Sequence, residues 1–251
     1  MAVLTKTGPV KIEDGIDIAR QAARKTIEQN VSPRLWPSEF DDTPEGAYRF
    51  VLAQHTWNEA EGEVQPFPDK EFLRQYCHEW HACFKQGRML VAEKCRRMVV
   101  SWCARSLELH QMGLRRTDCI LVGEDLEAAA KHVWRLEFLY SELAKRNPSW
   151  KLKPHKYLRY EGERKLKMFG LSNGSVTNYA NGQSNQLQGE GTRIITMEEF
   201  GLYRYASAML AQAKIITQGS ANSPGGFVNL ITNANTNPQW KIVKRGAIRD
   251  D

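Results

Sequence analysis

Between Met89 and Lys145 the chain alternates twice between a short apolar run and a longer stretch with helical periodicity. Met89 to Ala92 is the first run, short enough and apolar enough to be a buried strand. Ser101 opens a helix to Met112, with Trp102, Ser106, Leu107 and His110 at helical spacing. Cys119 to Val122 is a second buried strand, followed by Gly123. A helix from Leu126 to Lys145 follows, striped by Leu126, Ala129, Ala130, Val133, Leu136, Tyr140 and Leu143. Strands separated by helices can pair only after a crossover, so this order predicts a parallel α/β sheet.

The joint between the first strand and its helix is cationic: Glu93 to Arg97 holds Lys94, Arg96 and Arg97. A strand that passes through such a turn into a helix is the local architecture of a phosphate site. The unpaired N–H groups and the positive dipole end of the helix both favour an anion there. An ordinary strand–helix joint with solvated arginines reads the same way at this level.

The remaining elements fit around that unit. Ile12, Ile16, Ala19, Ala23 and Ile27 predict an amphipathic helix over residues 10–30. A loop rich in Pro, Asp and Gly follows, from Ser32 to Gly46, holding Trp36 and Phe40, then a strand from Tyr48 to Gln54. Glu59 to Asp69 is expected as loop, with Asp69 capping a helix that buries Phe72, Leu73, Tyr76, Trp80, Cys83 and Phe84. Beyond the central unit, Trp150 to Lys167 is a basic run. Met168 to Leu171 and Ser175 to Ala180 read as strands joined by the turn Ser172-Asn173-Gly174. Asn181 to Gly191 is a polar loop; Arg193 to Met197 is a strand, Tyr205 to Ile216 a helix, and Gly226 to Thr232 another strand.

Composition narrows the partners. The 251 residues carry a net charge of +6, which favours an anionic partner. No apolar run approaches the length of a membrane span, and none after Met1 resembles a signal peptide. Five cysteines without framework spacing fit reduced thiols, so a soluble, intracellular protein is expected.

Ligands of open parallel sheets bind beyond the carboxyl ends of the strands. Here one strand end supplies Lys94, Arg96, Arg97 and Ser101, another Glu198 and Glu199, and a third Thr232 and Asn233. That is the inventory of a nucleoside triphosphatase: cations around the phosphates, a magnesium site and a carboxylate for the attacking water. Glu198 would hold the metal and Glu199 would orient the water. Because neighbouring strand residues point to opposite faces, a bend after Met197 is needed for both to serve one site. The turn departs from the usual phosphate loop, which is glycine-rich and ends in Gly-Lys-Ser/Thr. The corresponding tripeptide is Val99-Val100-Ser101, and no glycine lies between Gly87 and Gly113. Lys94, at the strand end, is long enough to reach a phosphate from the other side of the loop.

In these blocks the sequence resembles the large terminase subunit of tailed bacteriophages, the ATPase that drives DNA into the capsid. Lys94-Cys-Arg-Arg-Met-Val-Val-Ser-Trp102 is similar to that family's deviant phosphate loop, which often carries its lysine at the loop's start. Cys119 to Ala129 resembles the following strand and helix start, Leu187 to Phe200 the acidic motif, and Val228 to Ala234 the coupling motif. The blocks span residues 65–240, in order. The resemblance implies a P-loop NTPase fold of the ASCE/RecA-like type: a mostly parallel central sheet flanked by helices. An N-terminal helical and irregular layer over residues 1–66 would precede an ATPase core over 67–251. It implies ATP and Mg2+ as ligands, with Lys94, Cys95, Arg96, Arg97, Met98, Val99, Val100, Ser101 and Trp102 forming the nucleotide loop. Ser101 and Glu198 would serve the metal, Glu199 and Arg96 (or Arg97) catalysis, and Thr232 and Asn233 coupling. Double-stranded DNA, a portal protein, a small terminase subunit and a pentameric ring of copies are the implied partners, in the host cytoplasm. Glu198 replaces the family's usual Asp, Gln188-Gly189 a common Arg-Gly, and Val99 the loop glycine. The family's carboxylate-rich nuclease domain has no counterpart in these residues, so nuclease activity is not expected.

Other readings remain beside this one. Cys77, His78, His81 and Cys83 suggest zinc, but their spacing scatters them around a helix. Arg159 and Arg164, in the basic run, are candidates to act on a neighbouring subunit's site, or are solvated. Phe67 and Pro68 either flank adenine or pack. A helicase-like ATPase shares the fold, and a non-catalytic nucleic-acid-binding or scaffold domain with a degenerate loop is the alternative of a different class.

Overall fold

The computed structural model describes residues 34–94, 99–158, 168–182, 192–217, 226–233 and 241–244. The helix expected over residues 10–30 lies outside them, as do Cys95, Arg96, Arg97, Met98, Arg159 and Arg164. Arg34–Asp251 forms a compact unit.

The first described helix, α1 (Pro44–Leu52), stands where a strand was expected over Tyr48 to Gln54. Local chemistry decides it. Extended Thr43 accepts the Gly46 N–H at 2.9 Å, Pro44 takes the first turn, and Glu45 faces the positive helix end. Two short strands, β1 (His55–Asn58) and β2 (Glu63–Pro66), then pair as an antiparallel hairpin, in a stretch expected largely as loop. Asp69 does not cap α2 (Glu71–Gln86). Lys70 occupies the cap position, and Asp69 accepts the Tyr48 hydroxyl at 2.5 Å.

The strand–helix alternation is present with its ends moved by a residue or two: β3 (Leu90–Lys94), α3 (Val100–Leu114), β4 (Cys119–Gly123) and α4 (Leu126–Arg146). After it come β5 (Lys156–Leu158), β6 (Met168–Gly170), β7 (Val176–Asn181), β8 (Ile194–Glu198), α5 (Ala206–Thr217), β9 (Phe227–Asn233) and β10 (Lys241–Lys244). Among the described residues the main sheet runs β10-β3-β9-β8-β4-β7-β6-β5. From β3 to β7 the neighbours are parallel; the pairs at both ends are antiparallel.

Each face of the sheet builds its own core. In β4, Cys119 and Leu121 face the layer of α1 to α4, while Ile120 and Val122 face α5. Covered on both faces, β4 is buried throughout, which is why it reads as an uninterrupted apolar run. α3 is buried nearly all round rather than along a stripe. Its polar residues are therefore partnered: Gln54 donates to Ser106 Oγ at 2.5 Å, and His110 Nε2 meets the Phe40 carbonyl at 3.1 Å. Gly113 lets Trp36 cross α3, since a Cβ there would lie 1.9 Å from the indole. The Cys/His group of α2 is dispersed: Cys77 faces Cys103 at 3.6 Å, His78 pairs with Glu45 and His81 with Asp42. Among the described residues no helix is long and apolar enough to cross a membrane.

Candidate functional site

Three adjacent strands end together. β3 stops at Lys94, β9 beside it at Asn233, and β8 beside that at Glu198. In register, Glu93 faces Thr232, Lys94 faces Asn233, and Ile231 faces Glu198. The carboxyl end of the sheet thus lines up the three segments that the sequence marks for phosphate, coupling and acid chemistry.

α3 begins at the same edge. Val99 precedes its first turn with φ 58° and ψ 3°, and no side chain caps the helix. The leading N–H groups of a helix, with its dipole behind them, favour an anion. Two cavities open here. One, of about 410 Å³, is lined by Lys94, Val99, Ser101, Trp102 and Arg135 and by the β1–β2 turn. The other, of about 250 Å³, is lined by Lys94, Ser101, His132, Arg135, Glu198 and Glu199. Lys94, Ser101 and Arg135 border both. Lys94 and the two acids therefore border one space.

Glu198 is the electrostatic centre. It is 3% exposed, and its Oε2 accepts the Ser101 hydroxyl at 2.6 Å. Burial works to raise its pKa, but His132, Arg105, Arg135 and Lys94 outweigh it and hold the carboxyl at about 2. Arg105 is fully buried in α3, one turn beyond Ser101. Its Nη1 lies 3.7 Å from Glu198 Oε1, and its Nε 2.7 Å from Glu108 Oε2. Thr196 completes the layer by donating to Glu108 at 2.5 Å. Burial lowers the His132 pKa to about 3, so the ring is neutral near pH 7. Its Nδ1 accordingly accepts from Arg135 Nη1 at 3.0 Å.

Glu199 follows the strand with φ 55°, the left-handed region that costs an L-residue roughly 1–2 kcal/mol. This is the bend that two successive strand residues need to reach one cavity. It falls on Glu199 itself, one residue later than the minimum the sequence required. With Val99, two of the three described non-glycine residues at positive φ border the site, the pattern of strain held at functional positions.

No protein-family model and no curated protein sequence matches the chain. Solved structures do. The HK97 bacteriophage large terminase aligns with a TM-score of 0.49 at 12% identity, over 74% of this chain and 37% of its own. The large terminase ATPase domain of a Thermus phage aligns at 0.41 and 12% identity, over 68% and 67%. A large terminase of a thermophilic bacteriophage, solved with ADP, aligns at 0.32 and 12%, over 60% and 34%. This chain is similar to bacteriophage large terminases. It spans about a third of the HK97 terminase.

Placed beside the terminase-derived expectations, the described residues divide. Lys94, Val99, Val100, Ser101 and Trp102 line the first cavity, and Glu198 and Glu199 the second. Thr232 is half-buried in β9. Phe67 is not brought to the cleft: it is 4% exposed and packs in the α-side core, with half-buried Pro68 beside it. Sequence reasoning missed Arg105, Glu108, His132 and Arg135. For His132 and Arg135 the signal available was position: both sit in the first half of α4, the helix that follows β4.

The donor set suits a hard divalent cation. The Ser101 hydroxyl and the Glu198 carboxylate are oxygen ligands in contact, and Glu198 Oε1 makes no hydrogen bond among the described residues. Magnesium is commonly held by one or two protein oxygens together with substrate phosphates and water. These two residues fit that role.

Proposed function

We propose that the chain is the ATPase domain of a viral genome-packaging motor of the terminase type, hydrolysing ATP with Mg2+ to move double-stranded DNA into a procapsid. One observation carries the reading. Lys94, the start of α3 and the Glu198–Glu199 pair, drawn from two separate strands, border one cavity at the carboxyl edge of the sheet. The ordered sequence blocks support the same conclusion.

In this reading Lys94 and the first N–H groups of α3 hold the polyphosphate. Arg96, or Arg97, adds a cation within the subunit. Ser101 and Glu198 hold magnesium, which supplies neutralising charge to the phosphate oxygens when bound. Glu199, which also lines that cavity, orients the attacking water and takes up its proton. Thr232 and Asn233, on the strand between the phosphate and acid strands, couple hydrolysis to movement. Arg159 and Arg164 are the candidates to reach a neighbouring copy in a pentameric ring, with a portal protein and a small terminase subunit as assembly partners.

Magnesium-dependent phosphate release by wild type and Glu199→Ala, with and without double-stranded DNA, tests the reading. Turnover in wild type that falls by at least about a hundredfold in the variant is expected. Turnover left untouched by the substitution removes Glu199 from the mechanism. ATP binding without turnover under any condition favours the non-catalytic scaffold.

A further inference from the structure

We propose that Arg135 is a further phosphate-binding cation of this site, supplied from α4 in place of the lysine that the α3 turn lacks, and that Glu59 holds its guanidinium until nucleotide arrives. This rests on the nucleotide reading above and adds a residue to it.

The need comes from Val100. Where a phosphate loop places lysine before its Ser or Thr, this chain has a valine that is 1% exposed and packed in the core. No charge can enter from that position. Arg135 comes from α4 instead, bordering both cavities together with Lys94 and Ser101.

Its surroundings orient it, and its charge also acts on Glu198 in the cavity they share. Nη1 donates to His132, and the guanidinium lies over the Trp102 ring, 5.6 Å from its centroid. The imidazole nitrogen and the indole face fix the plane of the guanidinium. The acid paired with it is Glu59, in the β1–β2 turn, at 3.7 Å with its side chain 73% exposed. That separation is too long for a hydrogen bond, and an exposed pair of this kind contributes little. A polyphosphate offers the same guanidinium several charge-assisted bonds, so it displaces Glu59.

The test is ATP titration at fixed magnesium and ionic strength for wild type, Arg135→Met, Arg135→Lys, Glu59→Gln and the Arg135→Met/Glu59→Gln double variant. Methionine keeps the stem against Trp102, and thermal melting checks that each variant is folded. Arg135→Met is expected to raise Kd about tenfold or more, with Arg135→Lys between it and wild type. Glu59→Gln is expected to lower Kd about threefold, an effect that vanishes in the Arg135→Met background. A purely structural arginine would not produce that coupling. Folded Arg135→Met that binds like wild type overturns the inference while leaving the nucleotide site standing. An equal Glu59→Gln effect in both backgrounds overturns the role of Glu59. Wild type that binds no ATP removes the site and this inference together.

Discussion

The Ser101 hydroxyl donates to Glu198 Oε2 at 2.6 Å, tying the first turn of α3 to the last residue of β8. One bond therefore joins the start of α3 to the acid pair, using the two oxygens that suit magnesium. Ser101→Ala is expected to cut magnesium-dependent ATP turnover by about a hundredfold or more. It leaves a buried carboxylate oxygen without its donor, which costs about 1–3 kcal/mol and leaves the protein folded. Ser101→Thr restores the hydroxyl and both properties. Phosphate release and urea denaturation on the same preparations measure the two losses. Equal turnover in all three proteins would remove Ser101 from the chemistry.

Stability should fall on the acid side from near neutrality. Buried His110 and His132 have folded pKa values of about 4 and 3 against an ordinary 6.5. Glu198 is at about 2 against 4.5, and Asp42, held by His81, Lys85, Gln111 and Arg115 against the cost of burial, is also lowered. All four are depressed, so the unfolded chain binds the extra protons. Their contribution is complete above about pH 6.5. It declines first as the histidines of the unfolded chain protonate, then more steeply below 4.5 as its carboxylates do. Melting temperatures between pH 7 and pH 3 check this. A flat profile between 6.5 and 4.5 would contradict the buried neutral histidines.

How far the sequence led depends on what each residue's role left visible. β4 and α4 are readable because burial on two faces, or along one stripe, leaves a periodic trace: Cys119 to Val122, and the row from Ala129 to Leu143. α1 was misread as a strand because Tyr48, Phe50 and Val51 favour strands, while the Thr43-Pro44 start that overrides them lay in what was taken as loop. Lys94, Ser101, Glu198 and Glu199 could be chosen because their residue types match a chemistry and stand at strand ends. Arg105 and Glu108 could not. A buried ion pair inside a helix is written with the same letters as a solvated one, and only the third dimension shows that Thr196 and Glu198 close around it.

Val99 and Val100 are adjacent valines under opposite demands. Val99 holds φ 58°, where a β-branched residue is strained, so Val99→Gly trades lost packing against relieved backbone. Its net effect is expected within about 1 kcal/mol of zero. Val100→Gly loses a 1%-exposed side chain and places glycine in a helix, costing about 2–4 kcal/mol. Urea midpoints of the two variants give the contrast. Equal losses would mean that Val99 does not hold the left-handed conformation.

Arg105 stands fully buried between two acids, with Glu108 Oε2 at 2.7 Å and Glu198 Oε1 at 3.7 Å. Arg105→Met removes an arginine contacting both and strands two carboxylates in the core, at a cost of about 3–5 kcal/mol. Burial already pushes the Glu108 pKa up, so this acid answers the loss by taking a proton. Glu198 must rise as well, because one of the charges that holds it near 2 is gone. The acid limb of the pH–rate profile should therefore move to higher pH in whatever folded fraction remains. Arg105→Met with Glu108→Leu replaces the pair by apolar groups and should recover much of the stability, but not the position of that limb, because Glu198 still lacks its arginine. Recovery of both would show that Glu108, and not Arg105, sets the ionisation of Glu198.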